Sequence, residues 1–326
     1  MGQNKKTVCF SIPCYNEKDN VVPIAEGILH LFEHELQQYD CIVQFIDNNS
    51  TDGTRGLLKG LCAKYPNVRA ILNARNFPMT SGYWGIINTS GDCTIAIPCD
   101  FQVPLEFIPE MLNKWENGAK IVCLTKQSSP ESRLMWTARK LFYKITNQLS
   151  SVDVLKGFSG CGLYDKSFVD VCRKIDDPVV NFQQIVLSLG FDMETLPYDE
   201  VRRKTGKSKN NFWSLLDIAI NRFISTSTSG PRIATISGFI LAIISFLVGV
   251  FYLVRKILFW NNYTAGMTPV LLGVFFIGAM QLFFVGLIGE YIMKINIRLM
   301  HRPLVVEAER INFPNKEIEC AAKEAE

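Results

Sequence analysis

The chain has 326 residues, which gives room for one large domain or two. Its formal net charge of +3 is too small to point to nucleic acid, and none is expected among its partners. Hydrophobic residues make up 48% of it, but they are spread unevenly, which sets a globular first part apart from a later part with long uncharged runs.

"TVCFSIP", 7–13, reads as a short buried strand ending at Pro13. A helix is expected within "CYNEKDNVVPIAEGILHLFEHEL", where Val22, Ile24, Ile28, Leu29 and Phe32 recur at roughly helical spacing. "CIVQFID", 41–47, is a second strand, "NNSTDGT" a turn, and "RGLLKGLCAKY" a helix. "VRAILNA", 68–74, is a third strand. "TSGYWGIINTS" follows as a helix with small faces, then "CTIAIPCD", 93–100, as a fourth strand. "LEFIPEMLNKWENG" is another helix, and "AKIVCLT" a fifth strand.

This alternation is the pattern of a parallel sheet covered on both faces. Ligands of such folds bind beyond the carboxyl ends of the strands. The polar residues fall there: Asn16 and Glu17, Asp47 to Asn49, Arg75 and Asn76, and Asp100 with Gln102. Neither GxGxxG nor GxxxxGK[ST] occurs, so a dinucleotide fingerprint and the usual ATPase loop are both excluded.

Asp47 closes a strand, where a carboxylate can accept from a ribose or a base edge. Asp52 is placed either for ligand contact or for capping the next helix. Glu17 has the same two readings, a helix-start carboxylate or a uracil or ribose contact. Asp100 and Gln102, at i and i+2, would face one way in an extended segment. A carboxylate and an amide oxygen could then hold Mg²⁺ or Mn²⁺, with diphosphate and water completing the shell.

Two runs have no charged side chain, 233–254 and 267–289, and each has the length of a membrane-crossing helix. Two spans are therefore expected. Basic residues flank them, "RRKTGKSK" at 202–209 before the first and Lys294, Arg298, His301 and Arg302 after the second. By the positive-inside rule both flanks are expected in the cytoplasm, giving an inner-membrane protein with two transmembrane helices. No apolar run opens the chain, so no signal peptide is expected. Residues 211–224, "NFWSLLDIAINRFI", suit an amphipathic helix in the interface plane. The segment 202–209 suits a lipid surface or a phosphate clamp. Arg133, Arg139 and Lys140 form a second cationic group that faces an acceptor phosphate or merely solvates a helix. The residues after about 306 are polar and read as a flexible tail.

None of the ten cysteines forms a CxxC pair, which suits a reducing compartment. Cys9, Cys14, Cys93 and Cys99 lack metal-site spacing and read as small buried residues.

Several segments together resemble the family 2 inverting glycosyltransferases that act on polyprenyl phosphates, which include dolichyl-phosphate mannose synthases and bactoprenol glucosyltransferases. They are "SIPCYNEKDNV", "IDNNSTDGT", "NARNFPMTSGYWGIINTSGD", "RRKTGKSKNNFWSLLDIAINRF" with "GPRIA", and "IGEYIMKINIRLMHRP", spread over about 7–310. The resemblance implies an α/β fold: a GT-A nucleotide-sugar-binding domain with a mostly parallel sheet at 1–210, an interface helix and linker at 211–232, two transmembrane helices at 233–290, and a juxtamembrane helix and tail at 291–326.

It further implies that Glu17, Asp47 and Asp52 touch the nucleotide. Pro13, Tyr15, Asn16, Asn49, Arg75, Asn76, Cys99 and Asp100 complete the expected nucleotide side. Asp100 and Gln102 would take the metal, and Arg133, Lys140, Arg202, Lys207 and Ser208 the phosphates. The implied partners are a UDP-sugar donor, with glucose the guess, a polyprenyl (undecaprenyl) phosphate acceptor, the membrane, and further copies in a homotetramer.

Three positions depart from the family pattern. The metal segment reads "PCDFQVPLE", with Pro98 and Val103 where aspartates are usual, and Gly160 stands where an acidic residue is familiar. A hydroxyl acceptor needs a base, whereas a phosphate monoester brings its own nucleophile, so the loss at 160 is chemically tolerable. The alternatives are a nucleotide-sugar-binding protein without turnover, a polysaccharide synthase, and a membrane-tethered interaction module.

Overall fold

The computed structural model describes residues 5–127, 155–178, 180–199, 267–300 and 302–314, with 247, 254 and 258. The chain divides into two compact units, one of 1–140, 154–209 and 302–326, the other of 141–153 and 210–301.

The first unit is built on an eight-stranded sheet. In chain order its elements are β1 (Lys6–Cys14), α1 (Val21–His34), β2 (Tyr39–Asp47), α2 (Thr54–Lys64), β3 (Val68–Asn73), α3 (Ser81–Ile87) and β4 (Cys93–Ala96). A 3₁₀ turn at Leu105–Phe107 leads into α4 (Ile108–Glu116). Then come β5 (Ile121–Lys126), β6 (Phe158–Asp165), α5 (Lys166–Arg173), α6 (Phe182–Ser188), β7 (Met193–Tyr198) and, from the end of the chain, β8 (Glu307–Ile311). The strand order is β7-β5-β6-β4-β1-β2-β3-β8. β1 to β4 are mutually parallel, and β6 and β8 run against the other six strands, so the sheet is mixed.

Strand residues alternate between two cores, as the pleat requires. Val8, Phe10, Ile12 and Cys14 of β1 and Val122 and Leu124 of β5 face one core, whereas Ile121 and Cys123 face the other. α1 closes the first core with Ile24, Ala25, Ile28 and Phe32, spaced for one helix face. On the opposite side α3 sits directly on the sheet. A Cβ at Gly85 would lie 2.4 Å from Ile46 Cδ1 and 2.5 Å from Ser11 Oγ, so only glycine allows that approach.

β4 ends at Ala96, short of the expected 100, because Pro98 has no N–H to continue a ladder. β6, β7 and β8 were absent from the sequence expectation. Part of the tail read as flexible is therefore ordered: β8 pairs antiparallel with β3.

In the second unit, helix α7 (Met267–Leu299) takes in the whole of the second uncharged run. It continues without a break through Glu290, Lys294 and Arg298, and Val270, Val285 and Ile292 are among its exposed apolar side chains. Among the described residues, no helix is long and apolar enough to cross a membrane. The expectation of two transmembrane helices is corrected accordingly. An uncharged run is a property of sequence, and the helix that contains this one also carries charged side chains. The inner-membrane location with a cytoplasmic catalytic domain rested on those spans and is withdrawn with them. The interface helix at 211–224 lies outside the described residues, as does 233–254 apart from Leu247 and Val254.

Candidate active site

The loops after β1 and β2 are locked together at the carboxyl end of the sheet. Asn16 has a left-handed φ of 57°, and its N–H donates to Ser50 Oγ at 2.8 Å. The Asn16 side-chain oxygen accepts from the Thr51 N–H at 2.8 Å. Glu17 N–H donates to Thr54 Oγ1 at 3.0 Å, and Lys18 N–H to Asp52 at 3.2 Å. Asn49, φ 63°, is the second left-handed residue here, and asparagine tolerates that region better than most side chains.

These bonds give Asp52 a structural role at the start of α2. Its Oδ1 accepts from the Thr54 N–H at 3.1 Å and the Thr54 hydroxyl at 2.6 Å, so it serves the start of α2 and ties it to the β1 loop. Partial burial opposes ionisation, but the bonds from Thr54 and Lys18 outweigh it and hold the carboxyl below its usual value. Glu17 accepts from the Asn20 side chain at 2.5 Å, and its carbonyl accepts from Val21 N–H at the start of α1.

Asp47 is wholly buried. Its carboxylate accepts from the Ser50 N–H and from Arg55 Nε, the latter at 2.6 Å. The far end of the Arg55 guanidinium donates to the Asn73 carbonyl. Asn73 donates in turn to Asn48 Oδ1 at 3.0 Å, which also accepts from the Phe77 N–H. Asp47 thus orders the floor of the crevice through Arg55. Sequence reasoning missed Arg55 and Asn73, and it placed Asn48 at a strand end without a role. Arg55 had a signal: a cation in the first turn of a helix opposes the dipole and calls for a carboxylate partner.

Asp100 is 6% exposed and lies in a turn. Phe101 has φ 57°, so the segment is not extended, and the expected same-face placement of Asp100 and Gln102 does not arise from a strand. Instead the Gln102 N–H donates to Asp100 Oδ1 at 3.2 Å. The two side chains still offer hard oxygen donors of the kind Mg²⁺ takes. Among the described residues, no group of three or more His, Cys, Asp or Glu could hold a metal ion, so an ion here would draw other ligands from substrate and water.

Cys14 and Cys99 form a neutral floor. Both are nearly fully buried, and both belong to the main core. Burial raises the Cys14 thiol well above its usual value, reinforced by Cys99, Asp47, Glu17 and Asp52. Burial likewise raises Cys99, with Glu17 and Asp100 adding to it. Bonds between the β1 loop and the start of α2 bring Glu17 and Asp52 together beside Asp47 at the end of β2, and Asp100 follows β4, which pairs with β1. Asp47 is buried and paired with Arg55, so the negative charge a bare diphosphate would meet comes from Glu17, Asp52 and Asp100, and a divalent cation would relieve that repulsion.

Pro13 pairs with Ile46 within the sheet, and Tyr15 is 38% exposed at the crevice. Arg75 and Asn76 are exposed on the loop between β3 and α3, where the Arg75 guanidinium lies 4.6 Å from the centre of the Phe77 ring. Gly160, on β6, has φ 91°, and a Cβ there would meet Phe182 Cδ1 at 3.4 Å. Arg133, Arg139, Lys140, Arg202, Lys207 and Ser208 lie outside the described residues.

Residues 9–172 match Glycosyl transferase family 2. The chain is 31% identical over 299 residues to the bactoprenol glucosyl transferase of Shigella phage SfX, covering 91% of this chain and 97% of that one. It is 30% identical over 299 residues to the bactoprenol glucosyl transferase of Shigella phage SfV, covering 91% and 96%. It is 29% identical over 299 residues to a prophage bactoprenol glucosyl transferase homolog of Escherichia coli (strain K12), again covering 91% and 96%. This chain belongs to glycosyl transferase family 2.

Proposed function

We propose that the enzyme moves a sugar from a UDP-sugar, glucose being the first candidate, to a polyprenyl phosphate such as undecaprenyl phosphate. One observation carries the reading: Glu17, Asp47, Asp52 and Asp100 follow the carboxyl ends of the adjacent strands β1, β2 and β4 in a chain that is similar along 91% of its length to bactoprenol glucosyl transferases.

The nucleotide lies against the β1 and β2 loops, where Tyr15, Asn16 and Asn49 are accessible. Asp47 acts beneath them by holding Arg55 and Ser50 in place. Arg75 meets the diphosphate from the side. Asp100 and Gln102 hold Mg²⁺ or Mn²⁺, which supplies charge neutralisation for the departing diphosphate.

An oxygen of the lipid phosphate attacks the anomeric carbon, the bond from that carbon to the UDP oxygen breaks, and UDP leaves. The phosphate's second pKa is near 6, so the attacking oxygen is ionised at neutral pH and needs no base. Gly160 suits that requirement. The protein's share is alignment and charge.

Asp100→Ala tests the reading. Transfer should fall by at least roughly 100-fold while the fold is retained. Normal turnover in a folded Asp100→Ala protein sinks the assignment of Asp100.

A further inference from the structure

Both ends of the 74–80 loop are fastened to one short segment from the far end of the chain. At the β3 end, Ala74 N–H donates to the Val306 carbonyl at 2.9 Å, and Asn73 stands opposite Glu307. At the α3 end, the Thr80 hydroxyl donates to the Leu304 carbonyl at 2.8 Å. Val305, between these two anchors, is 4% exposed. Glu307 accepts from the Trp84 indole N–H on α3 and from both Nε and Nη2 of Arg310. Arg310 also donates to the Asn88 side chain at 2.7 Å.

We propose that residues 304–307 are a positioning strap for the donor site. They hold the 74–80 loop, and with it Arg75 and Asn76, where the donor's diphosphate is met. The inference rests on the proposed role of Arg75, but the strap itself is a matter of geometry. A loop tethered at one end must be ordered when the ligand binds, and affinity falls by that entropy. With both ends held, the ordering is already done. The Phe77 N–H bond to Asn48 and the Arg75–Phe77 contact then fix the loop's interior against the crevice floor.

The test uses the full chain and two variants, Thr80→Val and Glu307→Gln. Thr80→Val keeps the shape and removes the hydroxyl donor, and Thr80→Ser returns it. Amide hydrogen exchange is followed at 75–79, with β1 as the internal control, and UDP affinity is measured by calorimetry with Mn²⁺. Exchange at 75–79 should rise about tenfold and the Kd for UDP several-fold, with β1 unchanged and Thr80→Ser near wild type. If both variants keep wild-type exchange and UDP affinity, the strap is refuted, even if their melting points fall. If the unmodified chain binds no UDP, the proposed donor is wrong, and the exchange arm still decides whether the strap holds the loop.

Discussion

The Arg55 guanidinium lies 2.6 Å from the carboxylate of Asp47, which has no solvent exposure, while 30% of the Arg55 side chain remains exposed. The pair joins the end of β2 to the first turn of α2, and through the Asn73 carbonyl to the end of β3. Removing one partner leaves a buried charge without its counterion. Arg55→Met should therefore destabilise by about 3 kcal/mol in urea unfolding. Asp47→Asn combined with Arg55→Met should cost less than the sum of the two single changes. Additivity would mean that the two side chains do not interact.

Asp52 and Asp165 both ionise below the usual carboxylate value of 3.8. For Asp165, burial opposes ionisation, and bonds from Ser167 and Trp115 together with the Lys120 charge outweigh it. A lowered folded-state pKa stabilises the protein above the unfolded value, and that share is lost as the pH falls through the folded value. Stability should thus decline below about pH 4. Asp52→Asn should flatten part of that decline. An unchanged acid limb in Asp52→Asn would show that its hydrogen bonds do not favour the ionised form.

Gly160 occupies φ 91°, a region that side chains resist, and faces Phe182. Restoring the acidic residue familiar in the family should strain the backbone by about 1–2 kcal/mol and give no gain in rate. Thermal unfolding and initial rates of Gly160→Asp check both parts. A faster enzyme would show that a general base is useful after all.

Gly85 lets α3 touch β1 and β2. Gly85→Ala should lift the helix and cost about 1–3 kcal/mol, read as a lower urea midpoint with an unchanged slope. No loss of stability would mean that Ile46 moves aside freely.

The first five strands and four helices were legible because their signal is local: buried runs such as "TVCFSIP" and the helical spacing of Ile24, Ile28 and Phe32. β8 was not, because its partner β3 lies far off in sequence and "EAERI" is polar on its exposed side. At the site, the strand-end rule pointed to Glu17, Asp47 and Asp100, with Asp52 coming from the turn that follows β2. It could not show that Asp47 turns inward to Arg55, since that bond exists only after α2 docks. The i, i+2 argument for Asp100 and Gln102 failed because Pro98 ends the ladder and Phe101 turns the chain. The membrane expectation came from two uncharged stretches; the first, apart from Leu247 and Val254, lies outside the described residues, and the helix that contains the second runs on through Glu290, Lys294 and Arg298.

The most direct test is transfer of labelled sugar from a panel of UDP-sugars to undecaprenyl phosphate in detergent, with Mn²⁺ or Mg²⁺ and then with chelator. Transfer from one donor, abolished by chelator and restored by the ion, is the predicted result. A free polyprenol should stay unmodified in the same assay. Tight UDP binding with no transfer from any donor, or efficient glycosylation of the free polyprenol, would contradict the account.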